Sequence, residues 1–241
     1  MGRARRIHLP NAFVHVTQRC NHGEWLLLEA RAKQLYLEEL GRVATELGYQ
    51  VLEFCIQDSH IHLVLLTPAE IVGHTVAEFM HRLNTRFGHR FNELRGWRGT
   101  CWQGRYKATG WLSVRQLLVL EVLLWYVASN PARRKVNAVR AVDWPWSGIY
   151  WLARGERGPV ATTLGEWLIK IYGPRGEADP AGAFVKLLEG ERPDWAQRAA
   201  ELDRQGLPWL GKDEAKAVRH DLAGLRERIR AEGQLNWKRQ V

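Results

Sequence analysis

Two short segments rich in apolar and β-branched residues, Gln50 to Gln57 and His60 to Leu66, are separated by Asp58-Ser59 alone. Each has the length of a strand, and a two-residue polar break between strands forces an antiparallel hairpin. That hairpin limits where everything else can go. Upstream, residues 11–19 (Asn-Ala-Phe-Val-His-Val-Thr-Gln-Arg) alternate and read as a strand, followed by a turn signal at Asn21-His22-Gly23. Residues 30–47 place Leu35, Leu37, Leu40, Val43 and Leu47 at helical spacing, and Gly48 ends that helix. Downstream, Thr67-Pro68-Ala69-Glu70 has the form of a capping box with proline at the first helical position, which predicts a helix from there to about Phe91. A Gly/Arg/Trp loop at 95–101 precedes a predicted fourth strand over 102–111. Ser113 is placed to cap an apolar helix from Val114 to Ser129, which Pro131 ends because the residue before proline avoids the α region.

The order is β-α-β-β-α-β-α. Its first six elements fit the split βαβ pattern, an α+β ferredoxin-like antiparallel sheet with helices on one face. From Thr162 the pattern is mainly helical, with Pro/Gly breaks at 173–181 and 206–211. The expected organisation is a domain over residues 5–150 and a mainly helical C-terminal extension over 151–241.

Charge narrows the partner. The chain carries 35 Lys and Arg against 26 Asp and Glu, a net charge of +9. Residues 1–151 hold 19 of the cations and 12 of the acids, and residues 152–241 hold 16 and 14, so the surplus lies mainly in the first part. Such a surplus suits a polyanion, because each phosphate contact needs a cation and releases a counterion. Three cysteines (Cys20, Cys55, Cys101) with no CxxC argue against a disulfide scaffold or zinc finger. No run approaches the roughly 18 apolar residues of a membrane helix, and no signal peptide is read, so the expected location is cytoplasmic.

His60 and His62 are two apart on a predicted strand and therefore share a face. Paired imidazoles can grip a divalent ion, but alone they leave it under-coordinated, and His-x-His by itself is more often structural or incidental. Tyr126 and Asn130, four apart at the end of the apolar helix, share a side of it. Read in isolation, they are a core aromatic and a helix cap. His15 on the first strand could approach the pair, although a strand histidine is more often structural.

In combination these segments resemble a known family. His60-Ile61-His62-Leu63-Val64-Leu65 resembles the histidine–hydrophobic–histidine motif of single-tyrosine transposases, within the wider HUH endonuclease group. Trp102-Gln103-Gly104-Arg105-Tyr106 resembles that family's aromatic–Gln–Gly–Arg–Tyr segment, and Tyr126-Val127-Ala128-Ser129-Asn130-Pro131-Ala132-Arg133 its Tyr-x-x-x-Asn-Pro-x-Arg segment. Pro145-Trp146-Ser147 and Leu210-Gly211-Lys212-Asp213-Glu214 are similar to later elements of the same family, the closest branch being the REP-associated tyrosine transposases. Ser59 stands where Asn is usual, and Arg134-Lys135 where Ala-Gly is usual.

The resemblance implies the HUH endonuclease fold and a metal-dependent single-stranded DNA endonuclease and strand transferase acting on hairpin-bearing DNA through a 5′-phosphotyrosine. Tyr126 would be the nucleophile, and His60, His62 and Asn130 would hold Mg²⁺ or Mn²⁺. The expected DNA-binding cations are Arg3, Arg5, Arg6, Arg82, Arg86, Arg90, Arg105, Lys107, Arg133, Arg134 and Lys135. Partners would be single-stranded or hairpin DNA, with the chain a monomer or a homodimer. The alternatives are a domesticated hairpin-DNA-binding protein that does not cut, and an unrelated metal hydrolase using the same histidines.

Overall fold

The predicted hairpin forms where the two-residue break requires it. In the computed structural model, which describes residues 10–69, 75–113, 117–134 and 137–191, β2 (Gln50–Ile56) and β3 (His60–Leu66) pair antiparallel with Ile56 opposite Ile61. The Gln57 N–H donates to the His60 carbonyl at 2.9 Å and closes the turn. β1 (Ala12–Arg19) pairs antiparallel with β3 on one side and with β4 (Lys107–Ser113) on the other, giving the order β2-β3-β1-β4. This is the ferredoxin-like arrangement that the order of elements predicts.

Because side chains alternate along a strand, each face of the sheet has its own core. Val14 and Val16 of β1, Phe54 and Ile56 of β2, and Ile61, Leu63 and Leu65 of β3 pack under α1 (Ala30–Leu47) and α2 (Val76–Arg95). Tyr36, Phe79, Phe87 and Phe91 are fully or almost fully buried there. Burying a phenylalanine stabilises by about 1.5–3 kcal/mol, so these rings anchor the helical layer. The opposite face is covered as well. Phe13, Leu52, Val64 and Leu66 pack against α3 (Leu117–Ala128), α5 (Leu164–Tyr172) and α6 (Pro180–Glu189). α1 and α2 thus occupy one face as expected, while α3 and the two later helices shield the other.

Polar groups key these late helices in place. The carboxylate of Glu121 on α3, fully buried, accepts from the Tyr172 hydroxyl at 2.7 Å and from both Arg175 nitrogens at 3.2 and 2.9 Å. Glu53 of β2, also fully buried, accepts from the Gly148 N–H at 2.6 Å at the start of the short α4 (Gly148–Ala153). A Cβ at residue 148 would come within 2.8 Å of that carboxylate oxygen, so only glycine lets the two approach.

Three element boundaries differ from expectation. The second helix begins not at Thr67 but at Thr75, whose side chain accepts from the Glu78 N–H at 3.1 Å in a second Thr-x-x-Glu box. Thr67 is claimed by the sheet, its hydroxyl accepting from the Ala12 N–H at 3.0 Å. β4 begins at Lys107 rather than 102, because Gly104 adopts φ +63° and Trp102 makes only an isolated bridge to Cys20. Ser113 ends β4 opposite Ala12 instead of capping a helix. Among the described residues no helix is long and apolar enough to cross a membrane.

Candidate active site

The second face of the sheet divides along its length. Phe13, Val64 and Leu66 form its apolar end, covered by helices. Its other end is polar. Arg19 lies opposite His60 and Thr17 opposite His62 across the β1–β3 ladder, and opposed residues share a face. Lys107, which opens β4, lies opposite Thr17 and extends the same row.

His60 and His62 project together, their ring centroids 5.1 Å apart and their planes at 76°. The Ser59 hydroxyl lies 3.1 Å from His60 Nδ1. His15, from the middle of β1, places Nε2 3.0 Å from His62 Nδ1, the two rings edge to edge with their planes within 9° and their centroids 5.3 Å apart. Burial pushes the His62 imidazole down to about 2, with neighbouring positive charge in the same direction, and burial takes His15 down to about 4. His60 is lowered too, by burial first and then by Arg19. All three rings are therefore neutral at pH 7, with a nitrogen lone pair each.

Tyr126 arrives from the last turn of α3. Its ring centroid is 5.7 Å from both His62 and His15, and 39% of its surface is exposed while Trp125, Val127 and Ala128 beside it are buried. The helix end is held by the residues that follow. Asn130 Nδ2 donates to the Tyr126 carbonyl at 2.9 Å and the Val127 carbonyl at 3.2 Å. Arg133 donates to the Tyr126 carbonyl at 2.8 Å and lays its guanidinium 4.5 Å from the Tyr126 ring centroid. Pro131, at the start of a 3₁₀ turn, cannot continue the helix.

A cleft of about 360 Å³ opens beside His60 and is lined by Trp25, Asp58, Ser59, Asn130, Arg133 and Arg134, among others. Trp25 is 54% exposed. Asp58, from the hairpin turn, takes a buried ion pair from Lys33 at 2.8 Å and a second from Arg134, which also stacks over Trp144 at 4.8 Å. Asp58 thereby ties the turn before His60 to the segment after the tyrosine helix.

The structure thus gathers His60, His62, Tyr126, Asn130, Arg133 and Arg134 in one region, with Lys107 on the adjoining edge. Arg105 is exposed in the loop before β4. The α2 arginines lie elsewhere, over the other face of the sheet, and are engaged by acids. Arg82 pairs with Glu78 at 2.6 Å, Arg86 with Glu46 at 2.6 Å, and Arg90 with Glu39 at 2.6 Å and Glu38 at 2.9 Å. Arg3, Arg5, Arg6, Lys135 and the Leu210–Glu214 stretch lie outside the described residues. Sequence reasoning missed Trp25, Asp58 and Lys33. Asp58 is signalled only by adjacency to Ser59-His60, and Lys33 by its place in the buried stripe of α1.

Among the described residues no three His, Cys, Asp or Glu side chains form a ready metal cluster. The donors that fit a divalent ion are the two neutral imidazoles of His60 and His62 together with the amide oxygen of Asn130, whose nitrogen is already committed to the helix end.

The profile of the family described as transposase, IS200 like, matches residues 10–130, half of the chain. The protein is by class a transposase, a DNA-processing enzyme. Within that class the chain belongs to the IS200-like family. Its fold is similar to that of a REP-associated tyrosine transposase solved bound to a REP hairpin, at 17% identity and TM-score 0.51, covering 68% of this chain and 93% of that one. A Deinococcus radiodurans R1 protein provisionally described as a transposase matches at 17% identity and TM-score 0.36, over 51% of this chain and 94% of that one. The comparison with curated proteins returns no match.

Proposed function

We propose that the protein nicks and rejoins single-stranded, hairpin-bearing DNA through a covalent bond to Tyr126. The observation that carries this reading is the convergence of a half-exposed phenol with His62 at a ring separation of 5.7 Å, on the one polar end of an otherwise apolar sheet face. The Tyr126 oxygen attacks the scissile phosphorus, a P–O bond to tyrosine forms, and the P–O3′ bond breaks. The phenol gives up a proton and the departing 3′ oxygen gains one. The phosphodiester energy is kept in the 5′-phosphotyrosine, so a second 3′-hydroxyl can reverse the step without a nucleotide cofactor.

His60, His62 and Asn130 would hold a divalent cation, which supplies polarisation of the phosphoryl oxygens when bound. Arg133 orients the phenol through its ring and carbonyl contacts. Arg19 and Lys107 add positive charge on the same row of the sheet, where a phosphate backbone would run. The cleft beside His60 has the size and the exposed indole to take an unpaired base next to the scissile phosphate, with Trp25 as the stacking surface. In this reading the α2 arginines are structural ties between helices, and the hairpin contacts fall to Arg105, Lys107, Arg133 and Arg134.

The test is incubation with a hairpin-bearing single-stranded oligonucleotide and Mn²⁺, followed by denaturing electrophoresis. A covalent adduct is expected from the wild type and none from Tyr126→Phe. An adduct that survives Tyr126→Phe overturns the nucleophile. Hairpin binding by a wild type that never forms an adduct overturns cleavage in favour of a hairpin-binding protein.

A further inference from the structure

The imidazoles of His60 and His62 are contacted at the same ring atom by different neighbours. Ser59, in the hairpin turn, meets Nδ1 of His60 at 3.1 Å, and His15, across the sheet on β1, meets Nδ1 of His62 at 3.0 Å. A neutral imidazole has one N–H and one lone pair, and only the lone-pair nitrogen can ligate a metal. What contacts the other nitrogen therefore decides which one is left.

We propose that Ser59 and His15 are positioning residues that hold both imidazoles in the Nδ1–H tautomer, so that both Nε2 lone pairs are presented to one divalent ion. This rests on the metal reading of the same site. His62 donates through Nδ1 and His15 accepts through Nε2, so His15 carries its own proton on Nδ1. The opposite polarity would put the His62 proton on Nε2 and remove it as a ligand. In this arrangement the His15 Nε2 is spent on His62 and is not offered to the ion. His15 is 9% exposed and lies edge to edge with His62, the two ring planes within 9° of each other, so water has little access to the bond and the N–H lies in line with the facing lone pair. For His60 the partner is the residue that departs from the family pattern. The Ser59 hydroxyl accepts from Nδ1, so the substitution keeps an acceptor at that point. Partners of this kind orient metal-bound histidines generally.

Two-bond ¹H–¹⁵N correlation spectra of the metal-free full chain read the tautomers directly, and Mn²⁺ titration followed by electron paramagnetic resonance reads the ion without DNA. The wild type is expected to show the Nδ1–H tautomer at both His60 and His62. His15→Phe should release His62 to the other tautomer, Ser59→Ala should release His60, and each should weaken Mn²⁺ binding roughly 10–100-fold. His15→Gln, which returns an acceptor oxygen near the same point, should keep the wild-type His62 signal and most of the affinity, and it remains informative if the phenylalanine variant does not fold. A wild type that binds Mn²⁺ with His62 protonated on Nε2 overturns this inference and leaves the metal reading standing. A wild type that binds no Mn²⁺ overturns both. Unchanged affinity in Ser59→Ala and His15→Phe overturns the positioning role.

Discussion

Tyr126 is polar, half-exposed and wedged between buried neighbours, and its surroundings are built by the four-residue reach of a helix end. Asn130 and Arg133 both bond its carbonyl, and the Arg133 guanidinium covers its ring. In the proposed reaction that cation, already held over the ring, would stabilise charge developing on the phenol without rearranging. Arg133→Gln is therefore expected to slow adduct formation by about tenfold or more while hairpin affinity changes much less, read by single-turnover gels beside a binding titration. Trp25→Ala should do the reverse. Loss of a base-stacking surface costs about 1–3 kcal/mol in single-strand binding, with Mn²⁺ affinity unchanged. Equal loss of both quantities in either variant would remove the assignment.

Between elements, buried carboxylates do the joining, and each has a testable sign. Burial raises Glu53 to about 8 from 4.5, so across that interval the folded chain keeps a proton that the unfolded chain has lost. Its contribution to stability is full below 4.5 and is lost as pH rises through 8. Glu53→Gln keeps an acceptor for the Gly148 N–H and cannot ionise, so its melting temperature should gain on the wild type as pH climbs from about 5 to 8.5. A constant difference over that range would refute the shift. Arg90 ties α2 to Glu39, only 2% exposed on α1. Arg90→Ala leaves that acid with Arg42 as its remaining salt-bridge partner and should destabilise the fold by about 1–2 kcal/mol, discounted for the part-exposed guanidinium. The salt slope of hairpin binding should stay as in the wild type, whereas a shallower slope would return Arg90 to the DNA surface.

What was readable in the chain follows the range of the forces involved. The hairpin and α1 depend on local spacing and turn chemistry, and both fall where the pattern puts them. The start of α2 did not, because two Thr-x-x-Glu boxes occur in succession and only the sheet's need for an acceptor at Ala12 decides that Thr67 is taken. The order of elements predicts helices on one face of the sheet only; that α3, α5 and α6 cover the second face is a tertiary outcome, which this order does not contain. The pairing of His15 with His62 depends on the register of β1 against β3, which residue spacing within either strand does not contain.

For the whole molecule, the late helices complete the core. Phe13, Leu52 and Leu66 would meet water without α5 and α6, and the buried Glu121 would lose both Tyr172 and Arg175. A chain ended after Gly158 should therefore lose cooperative unfolding and aggregate, as judged by calorimetry and light scattering. A truncated chain that stays monomeric with a sharp transition would show that the sheet and first helices suffice.

The His15–His62 contact has a consequence for how the chain finds its fold. A slip of one residue between β1 and β3 turns the side chains of one strand to the other face relative to its partner, which would part His15 from His62 and leave the His62 Nδ1 without that neighbour. In the proposed site an ion held by rightly turned imidazoles would therefore reward only correctly threaded chains, and so serve as a proofreader of assembly as well as an instrument of chemistry.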